Sequence, residues 1–193
     1  MRRFILAATL VSNSAYSLIA PFLPLEYELK EVPPSMIGWI FAIYSLSVIV
    51  LSPIISSHIL HRFNRQHLIN TGLLAMGVCF ALFGWSSKIE NPSTLTYVAL
   101  AIRAMQGASS ALIQTTCLSI ATNDFPSEKE AMIGYIEAAS GLGMVVGPIF
   151  GSVVYSQLGF AGAFYFCGVV IALFVVASHL FFINTRRVSP SER

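Results

Sequence analysis

The stretch GAFYFCGVVIALFVVASHLFFI, residues 162–183, decides the class of fold. It contains no Asp, Glu, Lys or Arg, and a helix crosses the hydrocarbon core of a bilayer with about 20 predominantly apolar residues. The whole chain has the same character, because 55% of its 193 residues are hydrophobic, 10% are charged and the mean hydropathy is +0.73. Soluble domains carry about 25% charged residues. The sequence therefore predicts an integral membrane protein with no room for a separate soluble domain.

Five further apolar stretches precede this one, and short segments between them carry most of the charge. The predicted spans cover residues 4–24, 36–60, 68–85, 95–121, 131–155 and 162–183. Together they predict an all-α fold, a single membrane domain over residues 1–193 with six transmembrane helices. An alternative for the first stretch is a cleaved signal peptide, because a basic start precedes a short apolar core. The apolar character continues to Leu23, which favours a span.

The orientation follows from the lysines and arginines, because these residues concentrate on the cytoplasmic side of membrane proteins. Since short connections make successive loops alternate sides, Lys30 and Lys88 fall on one side of the membrane. The other side collects most of the basic residues, namely Arg2, Arg3, Arg62, Arg65, Lys129, Arg186, Arg187 and Arg193. Both termini are therefore predicted to be cytoplasmic. The net charge of +2 is too small to suggest a nucleic-acid-binding surface.

Small residues recur at four-residue spacing in the fifth predicted span, at Ala139, Gly143, Gly147 and Gly151. Lipid solvates leucine as well as a neighbouring helix does, so membrane helices associate where small residues let two backbones approach closely. Pro148 beside this stripe is expected to kink the helix. Gly107 and Ala111 offer a shorter version of the same surface in the fourth span.

Three segments resemble signatures of the major facilitator superfamily, in the right order along the chain. They are RAMQGASSA at residues 103–111, GMVVGPIFG at residues 143–151 and SHILHRFNR at residues 57–65. The second resembles the fifth-helix signature that is associated with proton-coupled antiporters. In the third, Arg62 and Arg65 fall on the two basic positions of a cytoplasmic loop signature. Ser57, His61 and Asn64 stand where the family has glycine, aspartate and glycine, so the resemblance does not extend to the contact between transporter halves that the aspartate makes.

Within the superfamily the chain is most similar to vesicular amine transporters, especially those of polyamine type. Four pieces carry this similarity: SLIAPFLP at residues 17–24, IGWIF at residues 37–41, Phe125-Pro126, and Glu137 ahead of Gly143. The resemblance implies half of a major facilitator fold and proton-coupled antiport of organic cations such as amines or polyamines. Monoamine-transporting relatives carry an aspartate in the first helix, where this chain has Ser12-Asn13-Ser14.

Chemistry in such a protein is expected on the few ionisable residues within the spans, because a charge at the bilayer centre costs about 3 kcal/mol or more. Glu137 is predicted to carry the coupling proton or to meet a cationic substrate, with Arg103 tuning it and Gln106 supplying a polar contact. We expect Glu137 and Arg103 to come within reach of one another. Asn13 is a candidate for the wall of a polar cavity. The alternative is that Glu137 and Arg103 form a structural ion pair that keeps two helices in register.

Other chemistries find little support in the sequence. It shows no nucleophile beside a histidine base, no phosphate-binding glycine loop and no metal-ligand spacing, so no enzyme, cofactor or metal site is predicted. His58, His61 and His67 have no cysteine or carboxylate among them, which favours a solvated basic loop over a metal site or pH sensor. Cys79, Cys117 and Cys167 lie in apolar runs, and an odd number indicates no disulfide framework.

The predicted partners follow from the length of the chain. A complete facilitator has two six-helix halves that move around a site at their interface. The partners expected here are the lipid bilayer, a small-molecule substrate with protons, and either a second six-helix half or a second copy of the chain. A fragment of a longer gene product is the favoured interpretation. The alternative function is a non-transporting membrane scaffold that binds a partner through its glycine stripes.

Overall fold

The computed structural model describes the backbone of residues 1–188 and the side chains of residues 1–180. The predictions for the side chains of Arg186, Arg187 and Arg193, and for those at the end of the sixth span, lie outside the described residues.

Six long helices make up the described chain. They are α1 (Arg2–Leu29), α2 (Pro34–Ile54), α3 (Arg65–Ser86), α4 (Pro92–Asp124) and a helical segment Lys129–Val188 that comprises two helices. A π-helical turn, Ile55–Ile59, continues α2, and a 3₁₀ turn, Pro126–Glu128, follows α4. Residues 1–188 contain no β-strand, so the predicted all-α fold is confirmed.

The segment Lys129–Val188 divides at Gly159, whose φ of 66° and ψ of −172° interrupt the helical backbone. Only glycine adopts a positive φ without a steric penalty, so the division falls at this residue. We call residues 129–158 α5 and residues 160–188 α6.

Asparagine and proline define where the helices begin. The Asn91 side chain accepts hydrogen bonds from the backbone N–H groups of Ser93 and Thr94, at 3.0 and 3.1 Å. Asn64 accepts one from Gln66 at the start of α3. These bonds satisfy donors that have no partner in the first turn of a helix. Pro34 and Pro92 begin α2 and α4, where the missing N–H of proline costs nothing.

Proline also explains why α1 is longer than the first predicted span. The first predicted span ends at Pro24, whereas α1 contains both Pro21 and Pro24 and continues to Leu29. Membrane helices tolerate proline because neighbouring groups satisfy the freed carbonyls.

Within the described residues, four helical stretches are long and apolar enough to cross a membrane: Arg2–Leu29, Pro34–Ile59, Arg65–Ser86 and Pro126–Leu180. The last has 55 residues, enough for two crossings of about 20 residues each. Helix α4 is not among them because its polar side chains lower its hydropathy. Six of those polar side chains are buried among the other helices, namely Thr96, Arg103, Gln106, Ser109, Ser110 and Thr116.

Helix pairing follows a repeated pattern. Helix α1 packs against α5, α2 packs against α4, and α3 packs against both α4 and α6. The first three helices correspond to the last three, α1 to α4, α2 to α5 and α3 to α6. Under this correspondence the α1–α5 contact is equivalent to the α4–α2 contact. This pattern matches a half built from two three-helix repeats.

Polar contacts between connections show which ones share an end of the bundle. Arg2 forms an ion pair of 2.5 Å with Glu128, and Arg65 forms one of 2.7 Å with Asp124. The N-terminus, residues 60–64 and residues 125–128 therefore lie at one end. At the other end, Lys30 donates hydrogen bonds to the carbonyl oxygens of Ser87 and Ile89.

The glycine stripe of α5 lies directly against α1. A Cβ atom added at Gly143 would lie 2.7 Å from the Leu10 carbonyl oxygen, and one at Gly151 would lie 2.8 Å from Leu18 Cγ. At Gly147 it would collide with the Ser14 carbonyl oxygen and Ser17 Oγ. Such distances are shorter than van der Waals contact, so only glycine permits this helix separation.

We expect Gly147→Ala to lower the free energy of unfolding by about 1–3 kcal/mol, because the added methyl group forces α1 and α5 apart. Gly141→Ala is the matched control on the same helix, since nothing lies within 4 Å of a Cβ at that position. The control should be neutral or stabilising by up to about 1 kcal/mol, because alanine favours helix more than glycine does. Denaturation of the purified chain in mixed micelles measures both. Equal effects would contradict the close contact.

Candidate functional site

Arg103 lies at the centre of the bundle, where four helices meet. Its side chain is 0% exposed. The guanidinium carbon lies 4.9 to 5.9 Å from the centroids of four aromatic rings, those of Phe41, Tyr44, Phe83 and Tyr16. We call these rings the aromatic cage. It draws on α1, α2 and α3, while Arg103 belongs to α4.

The aromatic cage partly compensates the burial of a charge. A guanidinium within about 6 Å of a ring centroid gains about 0.5–2 kcal/mol from the negative face of the ring. Isolated charges away from water cost considerably more than that unless they are paired. Within residues 1–180, Arg103 forms no ion pair with a carboxylate.

Hydrogen bonding satisfies only part of the Arg103 side chain. Its Nη1 donates to Gln106 Oε1 at 3.3 Å. Arg103 Nε and Nη2 and Gln106 Nε2 are buried and have no hydrogen-bond partner in the part of the chain that the structure describes. The structure therefore brings Arg103 and Gln106 together, as donors with unused capacity.

A second hydrogen-bond network adjoins the cage. Tyr44 donates to Ser110 Oγ at 2.7 Å, and Gln114 Nε2 donates to the same oxygen at 2.9 Å. The ring of Tyr44 also stacks on that of Tyr16, with centroids 4.5 Å apart. These contacts join α1, α2 and α4 beside Arg103.

Gly107 makes this arrangement possible. A Cβ atom there would collide with the Tyr44 carbonyl oxygen and lie 2.7 Å from Ser47 Cβ. The approach of α2 to α4 at Gly107 brings the rings of Phe41 and Tyr44 over Arg103.

Glu137 is exposed on α5, and the structure does not bring it to Arg103. The reason is depth. At about 1.5 Å per residue, Arg103 lies about 31 Å along α4 from Asp124, whereas Glu137 lies about 12 Å along α5 from Lys129. Helices α4 and α5 meet at residues 125–128, so the backbones of the two residues lie about 20 Å apart along the bundle. The expected contact between them is not present.

Helical geometry shows which way Glu137 faces. Successive helix residues are about 100° apart. Ile136 is buried and Gly147 faces α1. Glu137, one step after Ile136, lies on one side of this buried face. Val146, one step before Gly147, lies on the other side, in a cleft between α1, α5 and α6. Glu137 therefore faces away from α6.

Asn13 lies at the α1–α5 contact, and Pro148 lies on α5 next to Gly147. Asn13 is buried, and its Nδ2 donates to the Thr9 carbonyl oxygen at 2.9 Å. A Cβ at Gly143 would lie 3.1 Å from Asn13 Cβ. Pro148 is half-buried within α5.

Arg62 and Arg65 differ in their surroundings. Arg62 is exposed in the connection between α2 and α3. Arg65 is half-buried and pairs with Asp124, a partner that no sequence pattern predicts. Among the described residues, which include the histidines of this region, no group of three His, Cys, Asp or Glu side chains that could hold a metal ion occurs.

A cavity of about 780 Å³ opens between α2 and α4, at the end of the bundle that contains Arg65. Its polar lining is mostly uncharged hydroxyl and amide groups, supplied by Ser52, Ser56, Gln114, Thr115, Ser119, Thr122 and Asn123. Such groups can donate and accept hydrogen bonds, so the cavity suits a polar solute.

The family model for the Major Facilitator Superfamily matches residues 5–193. The chain belongs to the Major Facilitator Superfamily. Residues 103–111 and 143–151, which resemble superfamily signatures, both lie where two helices pack closely. The first segment packs in α4 against α2, and the second packs in α5 against α1.

Several known proteins, transporters among them, are similar to the chain. The MFS-type transporter SLC18B1 of Homo sapiens is 28% identical over 169 residues, which cover 88% of this chain and 37% of the relative. Multidrug resistance protein 2 of Bacillus subtilis (strain 168) is 25% identical, covering 98% of the chain and 45% of the relative. The vesicular acetylcholine transporter unc-17 of Caenorhabditis elegans is 32% identical over 125 residues, which cover 64% of this chain and 22% of the relative. The chain spans less than half the length of these relatives.

The sequence predicts that Arg103 and Gln106 belong to a functional site, but it does not predict the aromatic cage. In the sequence, Tyr16, Phe41, Tyr44 and Phe83 look like ordinary aromatic residues of apolar spans. A buried arginine with no acidic residue at helical spacing on its own helix is the signal that could have pointed to a cage.

We expect Tyr44→Phe to lower the free energy of unfolding by about 1 kcal/mol, because it removes the hydrogen bond to Ser110 inside the bundle. Tyr97→Phe is the matched control on α4, since Tyr97 is 73% exposed. It should change stability by less than about 0.5 kcal/mol. Thermal unfolding in detergent compares the two variants, and an equal loss in both would contradict the role of the network.

Proposed function

We propose that this chain forms the N-terminal half of a proton-coupled antiporter for organic cations such as amines or polyamines. Membership of the superfamily indicates an integral membrane protein that transports a small molecule. One observation carries the finer proposal. Glu137 is an acidic residue well inside a helix, exposed on the face of α5 turned away from α6, and it forms no ion pair within the described residues.

A single exposed carboxylate can couple a proton to a cation by competition. When the carboxylate binds a proton it loses its charge, and with it the attraction for an amine. When it releases the proton it can bind the amine. If the site opens to each side of the membrane in turn, one proton exchanges for one cationic group. Glu137 supplies this carboxylate in the proposal.

Arg103 and Gln106 have a supporting role in this proposal. Arg103 lies about 20 Å from Glu137 along the bundle, so it influences the carboxylate only weakly. Its contacts with four rings hold α1, α2, α3 and α4 together. Asn13 and the glycines of α5 keep α1 and α5 in contact, so that the half moves as one body.

The second wall of the transport path must come from outside the described chain. In this superfamily two six-helix halves enclose the site. Helices α2 and α5 expose apolar side chains that a second half or a second copy would cover, namely Trp39, Leu46, Ile49 and Val50 on α2, and Leu142, Val145, Ile149 and Val153 on α5.

We further propose that the end of the bundle with the N-terminus faces the cytoplasm. Arg2, Arg62, Arg65 and Lys129 lie at this end, which is the distribution that the positive-inside rule describes. The six predicted spans would then mark the membrane crossings.

The orientation can be tested with introduced cysteines at two exposed serines. We expect Ser93→Cys to react with a membrane-impermeant maleimide in intact cells, because residues 87–91 lie at the end proposed to be non-cytoplasmic. Ser127→Cys should react only after permeabilisation. The unmodified chain is the control for Cys79, Cys117 and Cys167, which are buried or half-buried. The reverse labelling pattern would overturn the orientation.

We expect Glu137→Gln to reduce pH-gradient-driven uptake of spermidine and of a monoamine at least about 10-fold, because the amide cannot carry a proton. Glu130→Gln is the matched control, since Glu130 is exposed at the start of α5. Uptake into proteoliposomes measures both variants, and comparable expression and melting temperature establish folding.

Exchange of labelled for unlabelled amine without a pH gradient separates two roles of Glu137. A proton carrier alone leaves exchange intact in Glu137→Gln, whereas a carboxylate that also binds the amine makes exchange fail. Normal gradient-driven uptake by Glu137→Gln would overturn the proposal. Absence of uptake by the folded unmodified chain would favour the alternative of a membrane scaffold.

A further inference from the structure

The Arg103 guanidinium has a hydrogen-bond partner on its Nη1 side and, in the described part of the chain, none on the side formed by Nε and Nη2. We call the Nε and Nη2 side the free edge. Nη1 is occupied by Gln106 Oε1 at 3.3 Å. Nε and Nη2 are buried and have no hydrogen-bond partner within the described residues, and the same holds for Gln106 Nε2. Three nitrogen donors of two neighbouring side chains are thus unused in the same buried place.

The free edge has a specific chemistry. The N–H bonds of Nε and Nη2 are parallel and in one plane, at the spacing of the two oxygens of a carboxylate. A carboxylate accepts one straight hydrogen bond on each oxygen and neutralises the charge, which a hydroxyl or a single carbonyl oxygen does not. Gln106 Nε2 is a further unused donor next to Arg103 on the same helix. The flat faces of the aromatic cage surround the guanidinium and suit a planar partner more than a tetrahedral one.

The balance of charge around Arg103 also favours a carboxylate as the partner of its free edge. Within residues 1–180, no Asp or Glu forms an ion pair with Arg103. The aromatic cage attracts the cation but accepts no hydrogen bond in the plane of the guanidinium. Tyr16 and Phe41 are half-buried and form the outer layer of the cage, so a partner reaches the free edge by displacing these rings.

We propose that the free edge of Arg103, with Gln106 Nε2, is a binding site for a carboxylate. The carboxylate comes from a dissolved solute or from an Asp or Glu of a second six-helix half. The site is separate from the carboxylate of Glu137 on which the proposed function rests. Its test measures binding rather than uptake, so either proposal can fail while the other holds.

The first experiment uses the purified 193-residue chain and thermal unfolding followed by the fluorescence of Trp39 and Trp85. Sodium acetate and sodium benzoate are the probes, with sodium chloride and sodium phosphate at equal ionic strength as comparisons. A carboxylate that binds the folded chain raises the melting temperature with concentration. We expect a saturable rise of at least about 2 °C with either carboxylate. No rise with either carboxylate, or a rise with phosphate alone, would overturn the proposal.

Arg103→Lys tests the fork geometry because it keeps the charge and loses the parallel donors. We expect the concentration of benzoate that gives half the effect to increase at least about 10-fold. Arg62→Lys is the matched control in an exposed connection, and its response should equal that of the unmodified chain. An unchanged response in folded Arg103→Lys would contradict the proposal.

Gln106→Glu gives a second test that does not depend on the tolerance of Arg103 to replacement. The variant places a carboxylate beside Arg103 on the same helix. We expect it to raise the melting temperature without added ligand and to abolish the response to benzoate. A lower melting temperature together with a full benzoate response would overturn the proposal.

The source of the carboxylate is distinguished by repeating the benzoate titration on chain extracted in native membrane discs, which retain any partner. A response that disappears in the discs and returns after transfer to detergent assigns the site to a carboxylate of the partner. A response that persists in both assigns it to a dissolved solute.

Discussion

Close approach of helix backbones at glycine is the constraint on which this bundle depends. In a bilayer the hydrophobic effect does not draw apolar helices together, so their association relies on dense packing and on polar contacts. Gly143, Gly147 and Gly151 let α1 lie directly against α5, and Gly107 does the same for α2 and α4. Because α1 and α2 carry Tyr16 and Tyr44, these two contacts also fix where the rings surround Arg103.

The same contacts make a buried arginine tolerable. A charge at this depth would be unfavourable against lipid, but the close helices exclude lipid and present ring faces on several sides. The stabilisation from rings is partial, because rings do not replace the hydrogen bonds that water gave to the guanidinium. The unused donors of Arg103 and Gln106 are therefore a direct consequence of the packing.

Much of the fold could be predicted from the sequence, because the bilayer allows few solutions for apolar helices. The all-α half of a facilitator was predicted from hydropathy and from the segments at residues 103–111 and 143–151, and the family match confirms it. The expected contact between Arg103 and Glu137 was wrong, since the depth of a residue in the bundle follows from the sequence only when the helix ends are known. Helix α4 runs to Asp124 and α1 runs to Leu29, each beyond the apolar stretch that suggested it. The partners of Arg65 and the rings around Arg103 come from other helices, and residue spacing within one helix carries no information about them.

Two opposite charges at different depths cannot neutralise each other within this half. Arg103 lies about 31 Å and Glu137 about 12 Å from the shared connection. Within the described residues neither charge has an oppositely charged partner. In the proposed transporter, water, a solute or a group of a second half would match them, and these matches would change when the path opens to one side or the other. A half with both charges paired internally would gain little from such a change. The separation of Arg103 and Glu137 therefore leaves the energy of the half dependent on what faces it, which is the condition that a coupled transporter requires.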